Sequence, residues 1–304
     1  MPLPTNHKSD RQPWREHAAR AVARPFFATL ALLTRLLPRT LTEKLATRAS
    51  RAVFTLFPGV RAGLLSNAGK ILGPGASRAD RKALALSVLA SFARFLTELV
   101  AGPGQGPQQD LHQDTVGRDH FEEAAAARKG VISVTLHMGN YELSSMELAW
   151  LRPNVTIVYN RERIAFLERL RSRRRQEKRL DEIVIDDSRF FGIELLRRLR
   201  DGGVILLAGD QVAARDGEHF AFLHGTAPFS SWPARLALAS GAPIVPAFNV
   251  RAADGRYRLH LEPPIFPKEG QQPNDLMAEV VRVFERYVRD HASQWLMIRP
   301  YWIE

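Results

Sequence analysis

The chain contains no cysteine in 304 residues. That excludes disulfides, thiol nucleophiles, and zinc or iron–sulfur centres held by cysteine, and it suits a reducing compartment. No Gly-x-Ser-x-Gly elbow occurs, so the usual serine-hydrolase nucleophile is missing. Neither Gly-x-Gly-x-x-Gly nor a Walker A sequence is present, so a nucleotide cofactor lacks its usual phosphate loop. His-Glu-x-x-His is also absent, and no metal site is expected. No internal repeat or composition break divides the chain, and 45% hydrophobic residues suffice for one large core.

Acidic residues are in short supply. Lys and Arg number 43 against 32 Asp and Glu, for a net charge of +11. Such a balance favours an anionic membrane face, a phosphorylated lipid, an acidic carrier protein or nucleic acid. The signatures of common nucleic-acid-binding modules are missing, so a basic membrane enzyme is the better reading and no nucleic-acid partner is expected. Residues 22–37 are mostly apolar but interrupted by Arg24, Pro25 and Arg35. The stretch falls short of the roughly 20 apolar residues that a spanning helix needs. Lys8, Arg11, Arg15 and Arg20 precede it, and no small-residue cleavage site follows. Its apolar side chains, Phe26, Phe27, Leu30, Leu33, Leu36 and Leu37, suit a helix lying in the membrane interface with arginines at headgroup level. A core helix is the plainer alternative.

Periodicity predicts helices over 41–56 and 78–101, separated by a Gly/Pro-rich loop at 72–76. A Gly/Pro/Gln linker covers 101–109. Strands and helices then alternate. Helices are expected at 119–128, 141–151, 164–180, 189–201, 232–240 and 275–291. Strands are expected at 131–137, 155–159, 183–186, 203–208, 243–249 and 257–262. This is an α/β pattern with a central mixed sheet flanked by helices. Residues 1–110 read as an N-terminal helical, membrane-associating region and 111–304 as the α/β core, continuous with it.

The densest chemistry lies in Val131-Ile132-Ser133-Val134-Thr135-Leu136-His137-Met138-Gly139-Asn140-Tyr141-Glu142. A buried strand stops at a histidine, a tight turn follows, and Glu142 falls in the first turn of the next helix. Open α/β sheets place ligands at the carboxyl ends of their strands. A neutral imidazole there can take a proton from a hydroxyl. A carboxylate on its other nitrogen fixes the tautomer and stabilises the imidazolium. Gly139 permits a sharp turn or a close approach. Asn140 is a candidate N-cap, which would leave backbone N–H groups facing an oxyanion or phosphate. No protein nucleophile is needed if the attacking hydroxyl belongs to the substrate, which points to direct acyl transfer from a thioester to an alcohol. By spacing alone, about one His-x-x-x-x-Asp/Glu match arises by chance, so a strand-end histidine satisfied by a nearby carbonyl is the alternative.

His137-Met138-Gly139-Asn140-Tyr141-Glu142 resembles the signature of the lipid A late acyltransferases, the lauroyl/myristoyl transferase family that also includes phosphatidylinositol mannoside acyltransferases. Further segments resemble that family in order: Asn67–Gly73, Val158-Tyr159-Asn160-Arg161, Ala208-Gly209-Asp210-Gln211, Phe222-Leu223-His224-Gly225, Pro233–Ala237 with Gly241–Pro246, and Gln294-Trp295 with Pro300-Tyr301-Trp302. The likeness runs from about residue 20 to the end. His224 departs from the family's Phe-Phe-Gly, and Asn160 stands where a basic residue is usual. Both departures bear on the acceptor rather than on the reaction.

The resemblance implies a glycerolphosphate-acyltransferase-like fold and an O-acyltransferase at the cytoplasmic face of a bacterial inner membrane. His137 would be the base and Glu142 its partner. Gly139, Asn140, Arg161, Arg163, Asp210, Gln211 and Arg235 would contact substrate; Asp210, at the same edge after the run 204–208, could instead orient a base, and a loop cap is its plainer alternative. No cofactor is implied; an acyl carrier protein or coenzyme A thioester is the co-substrate. The acceptor is a lipid A precursor or related glycolipid. A lysophospholipid or mannoside acceptor, or a non-catalytic basic membrane-binding protein, stays open as an alternative. Arg169, Arg171, Arg173, Arg174, Arg175, Lys178 and Arg179 form the densest basic run, either a solvated helix face or a contact for acidic headgroups or carrier. Trp232, Trp295 and Trp302 read as packing or interface aromatics rather than catalytic groups.

Overall fold

A computed structural model describes residues 25–34, 36–101, 114–162, 164–185, 190–212 and 217–303. The first helices are α1 (Pro25–Thr34), α2 (Arg39–Leu56), α3 (Pro58–Leu72) and α4 (Arg78–Ala101). The α/β part follows in the order β1 (Thr115–Val116), α5 (Arg118–Ala126), β2 (Val131–Thr135), α6 (Tyr141–Leu151), β3 (Val155–Tyr159), α7 (Ala165–Glu177), β4 (Asp181–Val184), α8 (Phe190–Arg200) and β5 (Val204–Ala208). It closes with β6 (Glu218–Phe222), β7 (Gly225–Phe229), α9 (Trp232–Ser240), β8 (Ile244–Arg251), β9 (Tyr257–Leu261) and α10 (Pro273–Asp290).

Seven strands form the main sheet in the order β1-β9-β8-β2-β5-β3-β4. β8, β2, β5, β3 and β4 run parallel, while β9 pairs antiparallel with β8, so the sheet is mixed as expected. All five residues of β2 are buried, because the strand is covered on both faces. Ile132 and Val134 pack into one apolar cluster with α8, α9 and α10. Val131 packs into a second with Phe121 of α5 and Leu148 of α6. From β2 the chain crosses to β3 on one side, and β8 later fills the other. The loops at the carboxyl end of β2 therefore diverge, which is where such sheets leave a crevice.

Several boundaries differ from expectation. β2 ends at Thr135, so His137 sits in the following turn rather than in the strand. Helix α3 and the two-stranded hairpin β6–β7 are additional elements. Gly63 of α3 lies so close to the C-terminal segment that a Cβ would stand 2.5 Å from the Ile298 carbonyl oxygen. Residues 294–303 then act as a strap across the molecule. Asn67 of α3 donates to the carbonyls of Met297 and Arg299 and accepts from the Tyr301 N–H. Trp302 Nε1 donates to the Phe222 carbonyl, and the Ile303 N–H to Thr226.

Among the described residues, α4 alone is long and apolar enough to cross a membrane. Its Phe95, Leu99 and Val100 are nevertheless buried with Phe27, Leu167 and Leu296. Its Glu98 accepts from Asn140 Nδ2 and from the Tyr257 hydroxyl, each at 2.9 Å. A buried carboxylate bonded to the α/β core is what a core helix carries.

Candidate active site

The turn after β2 is fixed from several sides. Gly139 has φ +57°, and a Cβ there would lie 1.9 Å from the Asn249 carbonyl oxygen of β8. Only glycine meets both constraints. The Gly139 N–H donates to Gln294 O at 2.8 Å, and the Leu296 N–H to His137 O at 2.8 Å. The strap thereby runs beside residues 137–139 like a short strand, with a bridge between Met138 and Trp295.

Within this frame Nδ1 of His137 lies 2.6 Å from Oδ1 of Asp210. The His137 main-chain N–H also points at the same carboxylate, 3.1 Å from Oδ2. Trp295 Nε1 donates to Oδ2 at 2.9 Å. Asp210 follows β5, which pairs directly with β2, so neighbouring strand ends bring the two residues together. Burial alone would raise the Asp210 pKa; the His137 ring and the donors from His137 and Trp295 outweigh it and hold the carboxyl below its ordinary range. An aspartate on Nδ1 selects the tautomer with its proton there and leaves the Nε2 lone pair as acceptor. Nε2 has no hydrogen-bond partner among the described residues. The ring packs edge-on against Tyr141, centroids 4.8 Å apart.

This geometry corrects the expected pairing of His137 with Glu142. Glu142 opens α6 but turns toward α7, where Arg171 Nε donates to it at 2.6 Å and Arg175 Nη2 at 2.9 Å. Burial would raise the Glu142 pKa, but the two guanidinium groups lower it from 4.5 to about 2. Arg175 also bonds Glu182 at 3.0 Å and lies over the Tyr159 ring. Arg171 reaches the Tyr141 hydroxyl at 3.0 Å and Glu162 at 3.4 Å. Burial pushes the Tyr141 phenol up to about 12, so it stays protonated against the His137 ring. Glu142 thus anchors a buried ion network whose edge supports His137 through Tyr141.

A second correction concerns the turn amides. The Gly139 and Asn140 N–H groups are spent on the Gln294 and Asn249 carbonyls, so neither can hold an oxyanion. Asn140 does cap α6, its Oδ1 accepting from the Leu143 N–H at 3.4 Å, but its side chain is buried and bonded to Glu98 rather than open to substrate. The next amides, those of Tyr141 and Glu142, have no acceptor among the described residues.

The other expected contacts are spread out. Arg161 is exposed after β3, and Gln211, with φ +62°, is exposed after Asp210. Both stand at the strand ends that carry the dyad. Arg163 lies outside the described residues. Arg235 of α9 pairs with Glu218 at 3.4 Å and shares no described contact with His137 or Asp210. The basic run divides by helix face. Arg169, Arg173 and Arg179 are exposed, whereas Arg174 and Arg175 are buried and Arg171 nearly so. Arg171, Arg174 and Arg175 follow the buried Leu167 by four, seven and eight residues, one face of α7, and that register separates them from the solvated Arg169 and Arg173.

An imidazole bonded to a carboxylate at the parallel strand ends of an α/β protein has the geometry to accept a proton from a hydroxyl brought to it. The model of the bacterial lipid A biosynthesis acyltransferase family matches residues 11–304, and the chain belongs to that family. It is an acyltransferase. Similar proteins include the phosphatidylinositol mannoside acyltransferase of Mycobacterium tuberculosis (strain CDC 1551 / Oshkosh), 25% identical over 251 residues, covering 79% of this chain and 76% of that protein. The protein of the same name from Mycolicibacterium smegmatis is 24% identical over 220 residues, 71% of each chain.

Proposed function

We propose that this acyltransferase moves a fatty acyl chain from a thioester, on acyl carrier protein or coenzyme A, to a sugar hydroxyl of an anionic membrane glycolipid such as a lipid A precursor. The observation that carries the reading is the Asp210-bound Nδ1 of His137, which leaves Nε2 free to act as base. The acceptor hydroxyl gives its proton to Nε2 as its oxygen attacks the thioester carbonyl. The C–S bond then breaks, and the leaving thiolate takes the proton back from the imidazolium. The developing oxyanion is met by the amides of Tyr141 and Glu142 at the positive end of α6. Arg161 and Gln211, with Arg163 two residues beyond Arg161, are the candidate contacts for acceptor phosphate or for the donor's pantetheine arm.

The surface of the first helices supports a lipid substrate taken from a bilayer. Phe27 of α1 is buried against Phe166 of α7, next to the cluster that includes Tyr141. The same helix leaves Phe26, Leu32 and Leu33 exposed, and Leu36, Leu41, Leu45, Leu56 and Phe57 are exposed in and around α2. Residues 25–75 carry Arg35, Arg39, Lys44, Arg48, Arg51, Arg61 and Lys70 but a single acid, Glu43, which pairs with Arg251. Apolar side chains among arginines and lysines, without acids, suit the interface of an anionic membrane. On this reading α1 and α2 lie on the cytoplasmic face of the inner membrane, and α4 stays in the core.

A mannosylated phosphoinositide is the second acceptor, favoured by what the similar mycobacterial proteins are called. The test is acyl transfer by purified protein in detergent, comparing wild type with His137→Ala. Lauroyl and myristoyl thioesters on both carriers would be offered with a lipid A precursor, a lysophospholipid and a mannosylated phosphoinositide. A His137-dependent mass gain of one acyl chain identifies donor and acceptor together. Full turnover in His137→Ala overturns the reading.

A further inference from the structure

We propose that Trp295 is a positioning residue of this site: its indole N–H holds Oδ2 of Asp210, and through that carboxylate it sets the orientation and basicity of His137. The inference rests on His137 being the base, as argued above. Trp295 is 1% exposed and its N–H lies 2.9 Å from Oδ2, so the bond is made out of water, where a charge-assisted hydrogen bond is strong. The main chain on either side is committed to the same turn, Gln294 O receiving the Gly139 N–H and the Leu296 N–H reaching His137 O, each at 2.8 Å. Indole and backbone thus hold the two ends of one dyad from one segment.

The electrostatic consequence has a definite sign. A donor on Oδ2 draws negative charge away from the edge of the carboxylate that faces Nδ1. Removing that donor leaves Asp210 a stronger base toward His137, favours the imidazolium and raises the pH at which His137 titrates. Other polar groups face the pair from each packed element. Tyr141 of α6 lies against the His137 ring, with Arg171 of α7 on its hydroxyl. Tyr301 of the strap faces Asp210, and burial, with Asp210 adding to it, raises its phenol pKa. Tyr301 also packs edge-on against the Trp295 ring, and it packs against Trp302 as well, so both variants below disturb it alike.

Trp302 supplies the control. It belongs to the same aromatic cluster, with ring centroids 5.7 Å from Trp295, and its Nε1 also donates a 2.9 Å hydrogen bond, but to the Phe222 carbonyl. Trp295→Phe and Trp302→Phe therefore make the same chemical change in the same packing, and only the first touches the dyad.

The experiment is an NMR titration of histidine-labelled and indole-labelled full-length protein in detergent, with the pH dependence of kcat/KM measured alongside. In wild type, the Trp295 indole resonance moves with the His137 midpoint while that of Trp302 does not. In Trp295→Phe, the His137 midpoint rises and the acid limb of kcat/KM moves up with it. Trp302→Phe leaves the midpoint where it was. A Trp295 indole resonance indifferent to the His137 titration overturns the proposal, and that measurement on wild type needs no variant to fold. Equal shifts in the two variants overturn it as well. If no acceptor is acylated, the acyl-transfer reading fails, while the NMR midpoints still decide the role of Trp295.

Discussion

On the proposed mechanism His137 takes the acceptor's proton, so turnover in His137→Ala should fall by about 10²–10⁴-fold. The melting temperature should fall as well, because the buried Asp210 carboxylate loses its 2.6 Å partner and keeps only the His137 main-chain N–H and the Trp295 indole as donors. Asp210→Asn separates tautomer from presence. The amide places an N–H or a weaker acceptor against donors from His137 and Trp295, so kcat should fall by about 10²-fold or more with the histidine still in place. Thermal stability should fall as well, since a buried group is left poorly matched. Gly139→Ala combines a left-handed φ with a Cβ driven into the Asn249 carbonyl, so both activity and melting temperature should drop sharply. His137 stood out in the sequence because an apolar run stopped at it. Asp210 was legible only as a group at the same sheet edge able to orient a base or bind a sugar hydroxyl, because it lies 73 residues away and reaches His137 through the pairing of β2 with β5. Nearness in sequence favoured Glu142, yet the first turn of α6 directs that side chain toward α7.

Helices α6 and α7 are held together by a carboxylate between two arginines, and this pairing has its own pH signature. Folding lowers the Glu142 pKa from 4.5 to about 2. A depressed acid contributes its full stability above its unfolded value and loses it as pH falls through its folded one. Stability should therefore decline between about pH 4.5 and pH 2, with Glu142 among the groups responsible. Glu142→Gln leaves Arg171 and Arg175 facing a neutral amide in a buried site, and should destabilise by about 3 kcal/mol or more. Denaturant unfolding at pH 7 checks the magnitude, and a flatter acid profile in the variant checks the cause. Strands with continuous apolar runs and helices with a clear stripe were readable. α10 is the clearest example: Leu276, Val280, Phe284 and Val288 share its buried face. α3 was not readable, because Gly59, Gly63 and Gly69 lower its helical propensity while tertiary contact with Ile298 demands one of them. The β6–β7 hairpin was hidden for a similar reason. It turns at Leu223 with φ +51°, a residue that gives no turn signal in sequence.

At the scale of the whole molecule, charge and exposed apolar surface coincide at the first helices. Leu56→Asp combined with Phe57→Asp should abolish co-sedimentation with anionic vesicles and leave the melting temperature nearly unchanged, since both side chains are well exposed. Wild-type binding should weaken as salt rises, because the headgroup attraction is screened. Retention of vesicle binding by the double variant would place the membrane contact elsewhere. The basic balance pointed to an anionic partner from composition alone, but which residues face outward depended on packing: the neighbouring rings of Phe26 and Phe27 touch, yet only Phe27 is buried. The strap adds a constraint in time. A ribosome makes the helices proposed to meet lipid before His137 and Asp210, and Trp295, with the backbone that fastens His137, after them. A nascent chain carrying both members of the dyad still lacks the segment that aligns them. Alignment of the proposed dyad therefore waits for residues 294–296, and a chain cut short before them would carry the proposed lipid-facing helices without the segment that orients His137.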